Sequence, residues 1–194
     1  MRERPILFNG AMVRAILAGA KTQTRRVATP KRSIEPMSDE CPFGQPDDRL
    51  WVRERFKPVA SGQVKDGYGE VRYGYAYEAD SATRWNKRTT IIHDLTGQPG
   101  KGPMQFQQTP WRSSICMPHR ACRLLLEITA VRVERLQAIS AQDCVAEGIT
   151  TRFTVDGGND DLRIQFRELW TSTGGDWDSN PWVWVIEFKR VEVS

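Results

Sequence analysis

The run Asn180-Pro181-Trp182-Val183-Trp184-Val185-Ile186-Glu187-Phe188-Lys189-Arg190-Val191 decides the fold class. Trp182, Trp184, Ile186 and Phe188 fall on one side of an extended chain, and Val183, Val185, Glu187 and Lys189 fall on the other. That two-residue period is a strand's. Just upstream, Leu162, Phe166, Leu169 and Trp170 recur at i, i+4, i+7 and i+8, the spacing of an amphipathic helix. Asp176-Trp177-Asp178 reads as the polar loop between the two. Further back, Ser140 and Asp143 have the spacing of a helix-capping pair. Glu147 then lies in the last turn of a short helix that Gly148 ends, because glycine takes the left-handed conformation readily. Leu124–Thr129 predicts a strand, and Val131 and Val133 alternating with Arg132 and Glu134 predict a second one after a turn or bend near Ala130.

The other end of the chain has the same character. Ile6-Leu7-Phe8 predicts a short buried strand. A helix opening at Asn9 or Gly10 follows, with Met12, Val13, Ile16 and Leu17 at helical spacing and Gly19 as its stop. Leu50-Trp51-Val52 predicts a strand behind the turn residues Pro42, Gly44 and Pro46. Residues 57–113 differ: they are rich in Gly, Tyr and polar residues, with an alternating run at Tyr73, Tyr75 and Tyr77 and two tryptophans, Trp85 and Trp111. This stretch is expected to be an insertion, part hairpin and part irregular loop, and segments of this kind are often functional. Several antiparallel strands with two or three short helices predict an α+β fold, a small barrel closed on itself with helices at its ends. One domain over 1–194 is expected, carrying the insertion at about 57–113.

Composition sets the outer limits. A chain of 194 residues with 39% hydrophobic content has material for a real core. No stretch approaches the roughly 18 consecutive apolar residues of a membrane span, and the opening Met-Arg-Glu-Arg-Pro lacks the pattern of a signal peptide. The expected location is cytoplasmic, with Cys41, Cys116, Cys122 and Cys144 as reduced thiols. The net charge of +4 is mild, so a nucleic-acid role must rest on local clustering. The densest basic stretch holds Lys21, Arg25, Arg26, Lys31 and Arg32 with no acid among them.

Four stretches, in order, carry a resemblance. They are the G-x-K-T-x-T-R pattern of Gly19, Lys21, Thr22, Thr24 and Arg25, the segment D-R-L-W-V-R-E from Asp48, the L-x-x-I-S-x-x-D-x-x-x-E-G-I stretch from Leu136 to Ile149, and the closing W-V-I-E-F. In this arrangement the chain resembles the ASCH-domain family of the PUA-like superfamily, its longer phage- and prophage-type members above all. The resemblance covers about 5–56 and 122–191 and leaves 57–113 unexplained. The family usually has Gly-Asp before the L-W-V strand, whereas this chain has Asp47-Asp48, so that turn is expected to be built differently.

The resemblance implies a PUA-like barrel with short flanking helices that holds RNA or a modified nucleoside in a basic cleft. It also implies, from the family's small amidohydrolases acting on acetylcytidine, that Lys21, Thr24 and Glu147 stand at the catalytic positions. Thr24 is then the nucleophile, a neutral Lys21 amine its base, and Glu147 the proton donor to the leaving amine. Burial and the neighbouring Arg25 and Arg26 favour such a neutral lysine. Lys21, Arg25, Arg26 and Trp51 are the expected ligand contacts, the cations for phosphate and the indole for a base. Each residue has a plainer role beside this one: a lysine after a helix-ending glycine offsets the helix C-terminus, a glutamate near a helix end is a surface charge, and a threonine suits a strand.

Other chemistry has less to draw on. Cys116, His119 and Cys122 stand at three-residue spacing, but structural zinc needs four ligands and no second pair follows at a suitable distance. No metal and no cofactor are expected, since phosphate-loop and dinucleotide glycine patterns are missing and two histidines give little scope for a catalytic triad. Three functions follow as expectations: an RNA- or nucleoside-binding module, a hydrolase of the same cleft acting on acylated cytidine or on RNA, and a phage accessory protein that binds a protein partner through 57–113. No membrane partner is expected.

Overall fold

The computed structural model describes residues 1–28, 41–65, 68–93, 102–103, 109–149 and 159–192. Lys31 and Arg32 of the basic stretch lie outside the described residues. In chain order the elements are strand β1 (Glu3–Leu7), helix α1 (Gly10–Leu17), strands β2 (Gln23–Val27), β3 (Arg49–Arg53), β4 (Phe56–Lys65), β5 (Tyr68–Tyr77), β6 (Thr83–His93), β7 (Gly102–Pro103) and β8 (Leu125–Arg135), helices α2 (Ala141–Ala146) and α3 (Asn159–Ser172), and strand β9 (Trp182–Val191). This is a mixed α+β structure. Two sheets are present, one in the order β1-β3-β8-β9-β2 and one in the order β6-β5-β4-β7. The chain divides into two units: Met1–Ile6, Ala11–Val52 and Leu124–Ser194 make the first, and Leu7–Gly10 with Arg53–Arg123 make the second. Among the described residues no helix is long and apolar enough to cross a membrane.

In the first unit the alternation of β9 sorts its neighbours. Val183 and Val185 lie on the face that packs with Leu136 and Ile139 of the turn before α2, Cys144 of α2, and Leu162 and Phe166 of α3. Trp184, Ile186 and Phe188 lie on the opposite face, where β8 presents Val133, Val131 and Ile128 as their direct partners. Each fully buried side chain of this kind stabilises the fold by about 1.5–3 kcal/mol. α3 forms where the i, i+4 spacing of Leu162, Phe166 and Trp170 predicts it, with Phe166 buried against Trp177 at an edge angle.

Two expectations are corrected here. The stretch 124–134 is one strand and not two, because a bulge between Ile128 and Ala130 takes up Thr129 and the ladder with β9 continues to Arg135. The closed barrel also gives way, since β1 and β2 are the two ends of the sheet order and among the described residues the sheet is open. Closure needs β1 and β2 to pair, and the chain between them is taken up by α1 and its exit turn.

The second unit is more regular than its composition implies. β4, β5 and β6 form an antiparallel meander, with β4 and β5 paired without interruption from Phe56–Tyr77 to Lys65–Tyr68. Phe56, Tyr77, Met117 and Ala121 form its small core. Arg123 grips the buried Glu54 through two parallel contacts of 2.8 Å, reaches Asp80 at 2.8 Å and lies 4.1 Å from the Tyr77 ring centre. Chiefly by burial, the Tyr77 phenol is pushed up to about 12.

Candidate functional site

α1 ends because Gly19 adopts φ +74°, which turns the chain back so that the amides of Ala20 and Lys21 both donate to the Ala15 carbonyl at 2.9 and 3.1 Å. Capture by α2 comes next. The Thr22 amide donates to Ala146 O at 2.8 Å, and Lys21 forms an isolated antiparallel bridge with Glu147. α2 is fixed by a reciprocal capping box: the Ser140 hydroxyl accepts from the Asp143 amide, and the Asp143 carboxylate accepts from the Ser140 amide. Its last turn closes on Gly148 at φ +91°, which sets Glu147 over Lys21.

At this junction the Lys21 amine donates to Glu147 Oε2 at 2.5 Å and to the Glu147 carbonyl at 3.0 Å. Arg25 Nη1 reaches Glu147 Oε1 at 3.2 Å, while its Nη2 contacts Glu134 and lies 3.4 Å from Asp143 Oδ2. Arg132 extends the network to Glu134 at 3.3 Å, to Asp143 at 2.8 Å and to Glu187. Three cations thus meet four carboxylates. The Arg25 guanidinium also lies 5.8 Å from the Phe166 ring centre, which ties the network to the α3 side of the sheet.

Burial governs the electrostatics. It pulls the Lys21 amine below its usual range, against the opposing pull of Glu147, with smaller pushes in the same downward direction from Arg26 and Arg25. Burial likewise lowers Arg26, with Glu147 acting against it, although an arginine keeps its charge at any ordinary pH. Burial works to raise Asp143, yet the hydrogen bond from Ser140 and the charge of Arg25 help hold its carboxyl down at about 2.

The structure therefore joins Lys21 to Glu147 and adds Arg25, while Thr24 alternates with Arg25 along β2. Pleating sends alternate residues of β2 to opposite faces, so Gln23 and Arg25 go with the α2–α3 side while Thr24 and Arg26 go with their partners Ile186 and Trp184. Trp51 is remote. It pairs with Leu125, and Leu125 pairs with Val191, five residues along β9 from Thr24's partner Ile186, which is roughly 17 Å at about 3.3 Å per residue. The expectation that Lys21 and Arg25 offer charge to phosphate meets a physical obstacle, since both side chains have 0% exposure and their partners are carboxylates. Lysine at 21 does offset a helix C-terminus, but that of α2 and not of α1.

A cavity of about 410 Å³ lies in the first unit and is lined by residues that the sequence did not place in a site, among them Arg2, Arg4, Gln45, Asp48, Val131 and Trp184. Its turn is held by Asp48, whose carboxylate accepts from the Arg2 amide at 2.7 Å and from the Gln45 amide at 3.4 Å, contacts that lower its pKa. Asp47 takes the left-handed φ of +71°. Arg4 donates to Pro42 O at 2.8 Å. The signal in the sequence was the alternation of Arg2, just before β1, with Arg4 inside it, which is hard to see in so short a terminal strand.

In the second unit Cys116 is exposed and Cys122 is buried, and among the described residues no three His, Cys, Asp or Glu side chains group to hold a metal. The chain matches no family model, and neither the curated proteins nor the solved structures contain a match to it.

Proposed function

We propose that the first unit is an ASCH-type, PUA-like module, its ladder open between β1 and β2, that binds a nucleoside, ordinary or modified, in the cavity beside Trp184. The observation that carries this reading is the cavity's lining. Trp184, Gln45, Asp48, Arg2 and Arg4 line about 410 Å³, within the roughly 300–1,000 Å³ of small-molecule sites. A base needs a planar apolar neighbour and a few fixed polar groups, and these residues provide both. A nucleoside suits this unit better than a long polyanion, because Lys21 and Arg25 are already neutralised by internal carboxylates.

Calorimetric titration with cytidine and with acetylcytidine tests the reading. Saturable binding is expected, weakened about tenfold in Arg4→Gln and in Trp184→Leu. Absence of binding to either nucleoside, or binding that both variants leave unchanged, overturns it.

A hydrolase reading has one observation in its favour: the buried Lys21 amine is shifted toward its neutral form and touches Glu147. In that reading Lys21 activates a water molecule as nucleophile, because Thr24 alternates along β2 with Arg25, the residue that reaches Glu147. Release of cytidine from acetylcytidine, lost in Lys21→Met and kept in Thr24→Val, supports it; no release by the wild type ends it.

A further inference from the structure

The positive charge of this chain is concentrated in its second unit. Residues 53–123 hold twelve Lys and Arg against six Asp and Glu, a net +6 that exceeds the +4 of the whole chain. Within that unit a cavity of about 400 Å³ opens on the sheet, bounded by Pro58, Tyr73, Tyr75 and Asn86 on the strands and by Arg112 and Arg120 on the segment that crosses them.

Three features mark this cavity as built to hold a ligand. The first is a bulge in β6, where Arg72 pairs with Thr89 but Gly74 pairs with Trp85, so that three residues of β6, beginning with Asn86 at the cavity, stand against Tyr73 alone. Bulges re-aim side chains and are common beside functional sites, and Tyr73 stands 44% exposed at the cavity. The second is the condition of the two arginines. Arg120 Nε donates to the Tyr75 hydroxyl at 2.9 Å, which orients the guanidinium without neutralising it. Arg112 is fixed through its backbone, which exchanges hydrogen bonds with Phe56 at 2.8 and 3.4 Å. Among the described residues neither guanidinium has a carboxylate partner, in contrast to Arg123, whose three contacts go to Glu54 and Asp80. The third is the kind of surface between them: tyrosine rings, a proline and an asparagine side chain, apolar faces with polar edges.

We infer that this cavity is a nucleotide site, in which a base stacks on Tyr73 and its phosphate is held by Arg112 and Arg120. Stacking on an exposed aromatic ring tolerates any base, because every base has a flat π-face. Planar guanidinium groups match phosphate oxygens in a two-pronged manner. A free nucleotide and one unit of a single strand present the same chemistry here. Duplex DNA does not, because its bases are stacked on one another and closed to a tyrosine. The site is independent of the nucleoside cavity in the first unit, and its residues are all from the second.

Fluorescence anisotropy of a labelled hexauridylate, with uridine monophosphate as competitor, tests this on the full chain. Binding is expected to weaken about tenfold in Tyr73→Ala and in the double variant Arg112→Gln/Arg120→Gln, and to be unchanged in Arg167→Gln, an exposed position of α3 outside both cavities. The double variant should also lower the slope of log affinity against log salt by about 1.4, since each lost contact to a single strand removes about 0.7. Cys116 lines the same cavity and is exposed, so its alkylation, followed by peptide mass spectrometry, should slow when the oligonucleotide is bound. Competition by the monophosphate at comparable concentration makes the free nucleotide the ligand, and competition by the hexamer alone makes it a strand. Full affinity in both sets of variants, or unslowed alkylation of Cys116 at saturation, overturns the inference. Loss of binding in Arg4→Gln with none in Tyr73→Ala overturns it as well and leaves the first unit's cavity as the binding site.

Discussion

Lys21 donates from one nitrogen to two oxygens of a single residue, the side-chain carboxylate and the main-chain carbonyl of Glu147, 126 residues away. The pair locks the turn after α1 to the end of α2, and both partners are nearly inaccessible to solvent. Removing one member leaves a buried group without its counterpart, which typically costs about 3–5 kcal/mol. Lys21→Met is therefore expected to lower the urea midpoint by an amount matching that loss. Glu147→Gln, which keeps the shape and an acceptor for Lys21, should cost less, about 1–3 kcal/mol. A Lys21→Met midpoint within error of the wild type would show that the pair is solvated.

Acid stability should carry the mark of Asp143. Its carboxyl titrates near 2 in the folded chain and near 3.9 when unfolded. The folded value is the lower one, so the unfolded chain binds the extra proton, and the contribution is fully present above about pH 4 and disappears as pH falls toward about 2. With allowance for the solvent around a partly exposed group, it amounts to about 1 kcal/mol. Asp143→Asn should flatten the fall in stability between about pH 4 and 2. Parallel curves for the two proteins would place the acid sensitivity elsewhere.

In the second unit Arg123 holds a glutamate with 1% exposure. Arg123→Met leaves the Glu54 carboxylate buried and unpaired, a loss of about 3–5 kcal/mol. Arg123→Lys keeps the charge but not the two-pronged contact and should lose roughly half as much. Hydrogen exchange resolved by peptide should place the change in 53–93 and 109–123, with equal protection throughout in both variants counting against this role.

Gly148→Ala gives a separate test of the α2 junction. The glycine sits at φ +91°, and a Cβ there would stand 3.1 Å from Ala15 Cβ and 3.2 Å from Lys21 Cβ. Backbone strain and contact together should cost about 1–3 kcal/mol. Gly19→Ala has the same kind of φ but open space around the position, so about 1 kcal/mol is expected. Thermal melts of the two variants should rank in that order.

Much of the first unit was legible because its signals are local. The β9 alternation, the Ser140–Asp143 cap and the glycines at 19 and 148 each act within a few residues, and all are found in place. The motif spacing did bring Lys21 and Glu147 together. It could not show that Thr24, three residues from Lys21, faces the other way, because that depends on where β2 begins its pleat. Nor could it show that Glu134, Asp143 and Glu187 would surround the arginines, since these carboxylates come from β8, α2 and β9 and meet through sheet register alone. In 57–113 the glycines and polar residues hid a meander, whose long ladders depend on pairing between strands more than on the apolar pattern of each.

The bulge at Thr129 gives β8 one residue of slack. On either side of it, Leu126 and Ile128, then Val131 and Val133, occupy the same face although their numbers change from even to odd. Shortening the chain by the exposed Thr129 would leave Ile128 opposite Phe188 and Ala130 opposite Glu187, as they already are. A deletion at Arg132 would instead shift the remaining positions by one and bring Val133 into the place of a charged residue. In the β8–β9 pair, which supplies Arg132, Glu134 and Glu187 to the charge network, single-residue changes in length are thus absorbed at one position and disruptive a few residues away.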